Sequence, residues 1–155
     1  MPVGQDYPGL AASPQELSEA YAAYLTDEEG PFAAGPHTTG VLDNRSAENS
    51  NPEFVMDYVD QAVDLAQEPH MAPVAVRTAD GGAFVVFSAL FSDRKTMAQG
   101  LTPSVDPEVE ELMEGTAETS VTRHWVTMQS ALVPEGEGEI EIVHRATGVV
   151  RAEGE

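Results

Sequence analysis

His124 is the side chain in this sequence whose type and position best suit ligand binding or acid–base chemistry. Histidine titrates near neutral pH, and its surroundings readily shift its pKa. In an extended strand, His124 would share an apolar face with Val126 and Met128. Its neighbours Arg123 and Trp125 would point to the opposite face. We therefore name His124 as a candidate ligand-binding residue. A core or edge histidine satisfied by a backbone carbonyl would give the same pattern, so that structural interpretation stays open.

The sequence contains no pattern typical of a metal site. Zinc sites need several ligands at set spacing, but the four histidines are widely separated and cysteine is absent. The acidic segment 43–53 does not fit a calcium-binding loop, because Ala47 and Glu48 occupy its fifth and sixth positions. We expect no metal and no cofactor, and we keep a looser cation site on this segment as the alternative.

Motifs for nucleophilic and phosphate chemistry are also missing. The sequence has no Gly-x-Ser-x-Gly elbow. Gly81 and Gly82 open a predicted strand rather than a helix, and Glu137 lies between two glycines where an anion would have to sit, so neither segment forms a phosphate cradle. His37 and Asp43 could be imagined in a relay, although loop residues of these types occur by chance. The sequence therefore favours a protein that is not an enzyme.

The charge balance excludes several classes of partner. Of the 155 residues, 27 are acidic and 7 are basic, which gives a formal net charge of −20. Such a surface repels nucleic-acid phosphates and anionic lipids, and it favours solubility. No apolar run approaches the ~20 residues that span a bilayer. We expect no nucleic-acid partner and no transmembrane segment, and we leave the partner as an unknown protein or cell-envelope component.

Helix caps and apolar spacing predict three helices. Ser13 and Glu16 form a capping box around Pro14, so the first helix begins there. A second helix is predicted over 51–67, and a short third helix within 106–115. The intervening segment, 30–52, is rich in Gly, Pro, Ser and Asn and is predicted to be a loop. The apolar stripe of the second helix comprises Val55, Tyr58, Val59, Ala62, Val63 and Ala66.

After Pro69 the apolar residues alternate, which is typical of strands. The predicted strands are 74–78, 83–91 with a continuation toward Met97, 119–133 and 140–150. Short turns between them make neighbouring strands antiparallel. The fold class is therefore α+β: a curved antiparallel sheet of about four strands, packed against two N-terminal helices, with a short helix between strands 2 and 3. We expect a flexible tail or linker at 1–12, a single domain at 13–151 and a polar tail at 152–155.

Several short segments together carry a family resemblance. They are AAYL at 22–25, GPFA at 30–33, GPHTTG at 35–40, VRTADGGA at 76–83, SVTR at 120–123 and VPE at 133–135. In this order they resemble an uncharacterised family of actinobacterial secreted proteins and lipoproteins, which is known as a domain of unknown function. The resemblance implies a cell-envelope domain that often follows a signal segment. It implies no established activity, so no catalytic residues are carried over.

The functional hypotheses are ordered by this resemblance. The first is a non-catalytic cell-envelope domain that binds or assembles outside the membrane. The alternative is a small-ligand or enzymatic pocket in a cone-shaped fold resembling nuclear transport factor 2, which polar residues inside the cone would favour. The sequence begins without a signal or lipid-attachment cysteine. We therefore expect an extracytoplasmic location if the N-terminus is trimmed, and a cytoplasmic interaction protein otherwise.

Overall fold

The computed structural model describes residues 8–155. Residues 1–7, most of the predicted N-terminal tail, lie outside the described residues. The helices are α1 (Leu17–Asp27), entered through a single 3₁₀ turn at Pro14–Glu16, α2 (Thr39–Glu48) and α3 (Pro107–Leu112). The strands are β1 (Phe54–Ala62), β2 (Val74–Arg77), β3 (Ala83–Met97), β4 (Met113–Glu114), β5 (Ser120–Val133) and β6 (Glu141–Gly154).

All six strands form one sheet, which confirms the α+β class. The strand order is β1-β3-β5-β6-β4, and every pair is antiparallel except β4–β6. β2 also pairs with β3, at residues 83–86, whereas β1 pairs with residues 89–97. One edge of β3 therefore carries two short strands end to end. The sheet has six strands rather than about four because β1 and the two-residue β4 were not predicted as strands.

The predicted helix over 51–67 is wrong, because Phe54–Ala62 is the strand β1. Its apolar residues fit a helical spacing, but exposed and less exposed positions alternate along the observed strand. Val55 and Val59 point out, whereas Met56 and Tyr58 point in. β1 forms nine residue pairs with β3. Without β1, the backbone N–H and C=O groups along this edge of β3 would have no hydrogen-bond partners in the sheet. β-branched and aromatic residues also favour the strand, so long-range pairing decides the structure here.

The predicted loop at 30–52 is also partly wrong, because it contains α2. The helix includes Gly40, Asn44 and Ser46, which are poor helix formers, and none of its residues is buried. Val41 and Leu42 only partly cover the neighbouring core. Without a buried apolar stripe, the segment lacks the main signal by which a helix is predicted from sequence.

The elements after β1 agree more closely with the predictions made from the sequence. The hairpin between β2 and β3 closes with Thr78 N–H donating to Gly82 O at 3.0 Å, and Gly81 takes a φ of +90° that favours glycine. β3 does continue to Met97, and α3 lies between β3 and β5. β6 is longer than predicted and extends to Gly154. At the other end of the chain, Leu10 pairs with Glu135 in the turn that follows β5.

The hydrophobic core occupies one half of the inner face of the sheet. Leu17, Tyr21 and Leu25 of α1 pack there, and the rings of Phe32 and Phe87 contact Tyr21 edge-on at 5.7 and 5.8 Å. The sheet contributes Ala83, Val85, Ala89, Ala131, Val133, Ile140 and Ile142 to the same cluster. This core covers the early part of β3 and the late part of β5. A second, smaller apolar cluster joins Val109 of α3 to Val121 and Ala152 of the sheet, and the region around Phe91 and Trp125 lies beside residues of α2.

Candidate functional site

Beneath α2, the inner face of the sheet is lined by charged and aromatic side chains instead of aliphatic ones. They surround a cleft of about 310 Å³, which we call the α2 cleft. Its lining residues are Val41, Asn44, Arg45 and Glu48 of α2 with Tyr58, Phe91, Asp93, Arg123, Trp125, Arg145 and Thr147 of the sheet. A second cavity of about 260 Å³ shares Glu48 and Arg123 with the α2 cleft and reaches α3.

Strand alternation explains which residues line the cleft. Asp93 and Phe91 of β3 lie opposite Arg123 and Trp125 of β5, and each pair points to the same side. The rings of Phe91 and Trp125 stack at 5.6 Å with an interplanar angle of 5°. The guanidinium of Arg123 lies 5.1 Å from the centre of the Trp125 ring. The result is an aromatic floor of two stacked rings with guanidinium groups over them.

Two buried ion pairs hold most of the charge around the cleft. Arg123 donates two hydrogen bonds to Asp93, at 2.8 and 2.7 Å, and Arg45 donates two to Asp60, both at 2.8 Å. The side chains of Asp60 and Asp93 are only 4% and 5% exposed. Burial alone would lower the pKa of Arg123, but the hydrogen bonds and charge of Asp93, with the charge of Glu48, raise it. Asp93 therefore favours the charged form of Arg123.

Tyr58 and Glu48 join α2 to β1 at the rim of the cleft. The Tyr58 hydroxyl donates to the Glu48 carboxylate, and the Arg45 guanidinium lies 4.4 Å from the centre of the Tyr58 ring. Burial raises the pKa of Tyr58, and the hydrogen bond to Glu48 raises it further. Tyr58 is therefore a neutral donor at physiological pH, and the carboxylate of Glu48 has a partner.

Arg145 differs from the other two arginines of the cleft. Within residues 8–155 it forms no ion pair with a carboxylate. Its guanidinium lies 5.5 Å from the centre of the Phe91 ring, and its Nε is buried without a hydrogen-bond partner. Burial raises the pKa of the nearby Tyr21, and the positive charge of Arg145 partly opposes that rise. A cation is therefore held against the core without an acidic counter-charge.

Trp125 also has a buried polar atom without a partner, its indole Nε1. Gln129, which lies opposite Arg145 in the β5–β6 register, has the same property at Oε1. Trp125, Gln129 and Arg145 all project from the inner face of two neighbouring strands. Buried polar atoms are nearly always hydrogen-bonded, so this group of unsatisfied atoms requires an explanation.

The candidate named from sequence, His124, lies on the opposite face of the sheet from the cleft, as the alternation along β5 predicts. Its Nε2 is 2.9 Å from Glu153 Oε2 and 3.3 Å from Arg151 Nη2. The hydrogen bond with His124 lowers the pKa of Glu153. The structure therefore places His124 in a surface ion-pair group, and its role in binding stays a prediction.

The histidines are not gathered into a metal site. In the described part of the chain, no three His, Asp or Glu side chains converge where they could share a metal ion. His37 contributes its backbone carbonyl, which accepts a hydrogen bond from the Tyr21 hydroxyl at 2.7 Å. Among residues 8–155, no helix has the length and apolar character needed to cross a bilayer.

Comparison with known proteins now places the chain. The model of a family described as a domain of unknown function, DUF8094, matches residues 2–154. The chain belongs to the DUF8094 family. This confirms the resemblance that the short sequence segments indicated.

Two curated relatives of this DUF8094 chain come from Streptomyces. An uncharacterized lipoprotein of Streptomyces avermitilis is 34% identical over 158 residues, which cover 99% of this chain and 47% of the relative. An uncharacterized lipoprotein of Streptomyces coelicolor is 31% identical over 147 residues, which cover 94% of this chain and 44% of the relative. The chain thus spans about half the length of these relatives. No solved structure matches it.

Sequence reasoning did not find the α2 cleft of the DUF8094 domain. Arg45 lies in a segment predicted to be a loop, and Arg145 lies on a strand whose alternation was recognised without assigning it a role. One signal was available. In a chain with a net charge of −20, three of the six arginines line the cleft: Arg45, Arg123 and Arg145. Two of these fall on strands that also present buried apolar residues on the same face. Scarce cations directed toward a core are a reason to suspect a site.

Proposed function

We propose that the DUF8094 domain binds a small organic ligand in the α2 cleft, as a non-catalytic part of a cell-envelope protein. One observation carries the proposal. The helix α2 lies over part of the sheet without burying any of its own residues, and the cleft between them is lined by charged side chains and an aromatic floor. A purely structural helix–sheet contact would bury an apolar stripe.

The energetics of the buried ion pairs support this proposal. Two arginine–aspartate pairs are withdrawn from water, and replacing such pairs by well-packed apolar residues is often neutral or stabilising. Stability alone therefore does not account for them. They fix the walls of the cleft instead, because each guanidinium is held by two hydrogen bonds. The volume of about 310 Å³ lies at the lower end of the range for small-molecule sites.

The residues in the interior of the fold support a pocket, the second of the two hypotheses drawn from sequence. Uniform aliphatic residues would favour a plain core, whereas Asp60, Asp93 and three arginines favour a pocket. Asp60 and Asp93 each accept a bidentate arginine, so neither is free to act as a general base. This supports binding rather than catalysis. The names of the two Streptomyces relatives support a cell-envelope location.

The test uses Trp125, which is the single tryptophan of the sequence and lies in the cleft wall. Its fluorescence is titrated with three one-ring probes that differ in charge: benzoate, benzylamine and benzamide. We expect a saturable change with at least one probe. Thr147→Tyr, which fills the cleft, should abolish the change, because Thr147 lines the cavity.

Ala146→Tyr is the matched control. Ala146 pairs with Met128, so its side chain lies on the outer face of the same strand, and a tyrosine there leaves the cleft open. It should bind the probe as the wild type does. The proposed function is wrong if no probe gives a saturable change, or if the two tyrosine variants lose binding equally.

A further inference from the structure

The three arginines of the α2 cleft do not have equivalent partners. Arg123 and Arg45 are each neutralised by an aspartate through two hydrogen bonds. Glu48, the acidic residue that lines the cleft besides Asp93, accepts a hydrogen bond from Tyr58 and raises the pKa of Arg123. The charge of Glu48 therefore acts on the part of the cleft that already contains ion pairs. Arg145 is left with its charge uncompensated by any carboxylate among the described residues.

Arg145 is half-buried, so water compensates its charge only in part. Burying a charge without a partner costs several kcal/mol in general, and arginine cannot escape by losing its proton. The Nε–H of Arg145 is shielded from solvent and donates to no acceptor. Trp125 lines the same cleft, and its indole N–H is also shielded from solvent and donates to no acceptor. Both residues line the same cleft, and the positive charge of Arg145 favours an anionic partner for its guanidinium.

The aromatic floor specifies the rest of the occupant. The rings of Phe91 and Trp125 stack on each other, and both residues line the cleft. Arg145 and Arg123 lie 5.5 and 5.1 Å from the centres of these two rings. A molecule with an apolar part and an acidic group could place the first against the rings and the second near Arg145. A fully hydrated inorganic anion would gain nothing from the aromatic surface.

We infer that the ligand of the α2 cleft is a small organic anion with an apolar body, whose carboxylate or equivalent acidic group pairs with Arg145. This inference rests on the binding function proposed above and names the ligand class for the same site. It assigns Arg145 as the residue that selects for negative charge. Trp125 contributes part of the aromatic floor.

The experiment compares benzoate with benzamide, which have nearly the same shape and differ in charge. Dissociation constants are measured by Trp125 fluorescence for the wild type and for Arg145→Gln. We expect the wild type to bind benzoate at least about tenfold more tightly than benzamide, because a charge-assisted hydrogen bond is lost with the amide. Arg145→Gln should lower benzoate affinity by about tenfold and leave benzamide affinity nearly unchanged.

Arg94→Gln is the matched control, because Arg94 is half-exposed, pairs with Glu155 and lies outside the cleft lining. It should change benzoate affinity by less than about twofold. Arg145→Lys keeps the charge and should retain part of the benzoate preference. Circular dichroism verifies that each variant is folded. If Arg145→Gln does not fold, the wild-type preference for benzoate over benzamide still tests the ligand class.

The outcomes separate this inference from the proposed function. Equal affinities for benzoate and benzamide, tightest binding of benzylamine, or an Arg145→Gln variant that binds benzoate normally would each overturn the anionic ligand class. Binding that Thr147→Tyr abolishes would still support the cleft as the site in all three cases. Failure of every probe would instead contradict the binding function itself.

Discussion

At the residue scale, the carboxylate of Asp93 depends on a single side chain. It is almost fully withdrawn from water and accepts two hydrogen bonds from Arg123. Arg123 remains 26% exposed, so water compensates part of its own charge. Breaking the ion pair would therefore cost more for the charge of Asp93 than for the charge of Arg123, which is partly solvated. Loss of the aspartate charge would leave Arg123 without its counter-ion beneath α2.

Asp93→Asn tests this dependence. We expect the free energy of unfolding to fall by about 3 kcal/mol, because one partner of a largely buried ion pair is left uncompensated. Equilibrium unfolding in urea, followed by circular dichroism, measures the loss. Glu155→Gln makes the same acid-to-amide change in the exposed Arg94–Glu155 pair and should cost less than about 1 kcal/mol. Similar losses in the two variants would show that the Asp93 pair is not specially protected from solvent.

At the element scale, α2 is attached to the sheet by polar contacts instead of buried apolar ones. Asn49, immediately after the helix, donates its side-chain amide to Met56 O at 2.9 Å and accepts from Met56 N at 2.7 Å. The side-chain amide of Asn49 thus forms the two backbone hydrogen bonds that a neighbouring strand would form with Met56. Arg45–Asp60 and Glu48–Tyr58 add two more polar attachments along α2. A helix held in this way can cover the cleft without filling it.

Asn49→Ala should therefore weaken the attachment of α2 to β1. The substitution leaves the backbone N–H and C=O of the buried Met56 without their partners, at an expected cost of about 1–3 kcal/mol in unfolding free energy. Hydrogen exchange of the Met56 amide should accelerate more than global unfolding explains. Asn51→Ala is the control, because Asn51 accepts one exposed hydrogen bond from Glu53 N. Equal effects of the two substitutions would contradict a specific role for Asn49.

The elements that could be predicted from sequence are those whose local signals agree with their packing. β3 and β5 alternate over long stretches, and α1 begins at a capping box, Ser13 with Glu16. β1 was mistaken for a helix because its apolar residues satisfy both periods, and only the partner strand decides between them. α2 was missed because it has no apolar stripe to reveal it.

The site was less predictable than the fold for the same reason. Alternation along β5 correctly places Arg123 and Trp125 on the face opposite His124. Arg45 and Arg145 line the same cleft because of the positions of α2 and β6. Contacts between distant parts of the chain set these positions. The spacing of residues along the sequence does not indicate which distant side chains come together in the fold. His124 attracted attention because of its side-chain chemistry, whereas the cleft is formed by residues whose positions depend on tertiary structure.

At the scale of the whole molecule, the proposed anion must approach a chain whose net charge is −20. The long-range field repels it, while the contact with Arg145 attracts it once it has entered the cleft. Salt affects these two terms differently. The Debye length shortens from about 30 Å at 0.01 M to about 10 Å at 0.1 M, so distant charges are screened first and buried contacts least. Association and dissociation should therefore respond to salt unequally.

Stopped-flow fluorescence of Trp125 with benzoate should show an association rate constant that rises as sodium chloride increases from about 0.01 to 0.15 M, because screening removes the repulsion. The dissociation rate constant should change much less. Replacing the exposed acids Glu108, Glu110 and Glu111 of α3 by glutamine should raise the rate at low salt and flatten its salt dependence, since α3 borders the adjoining cavity. An association rate that falls with added salt would mean that the arginines of the cleft, and not the net charge, govern the approach of the ligand.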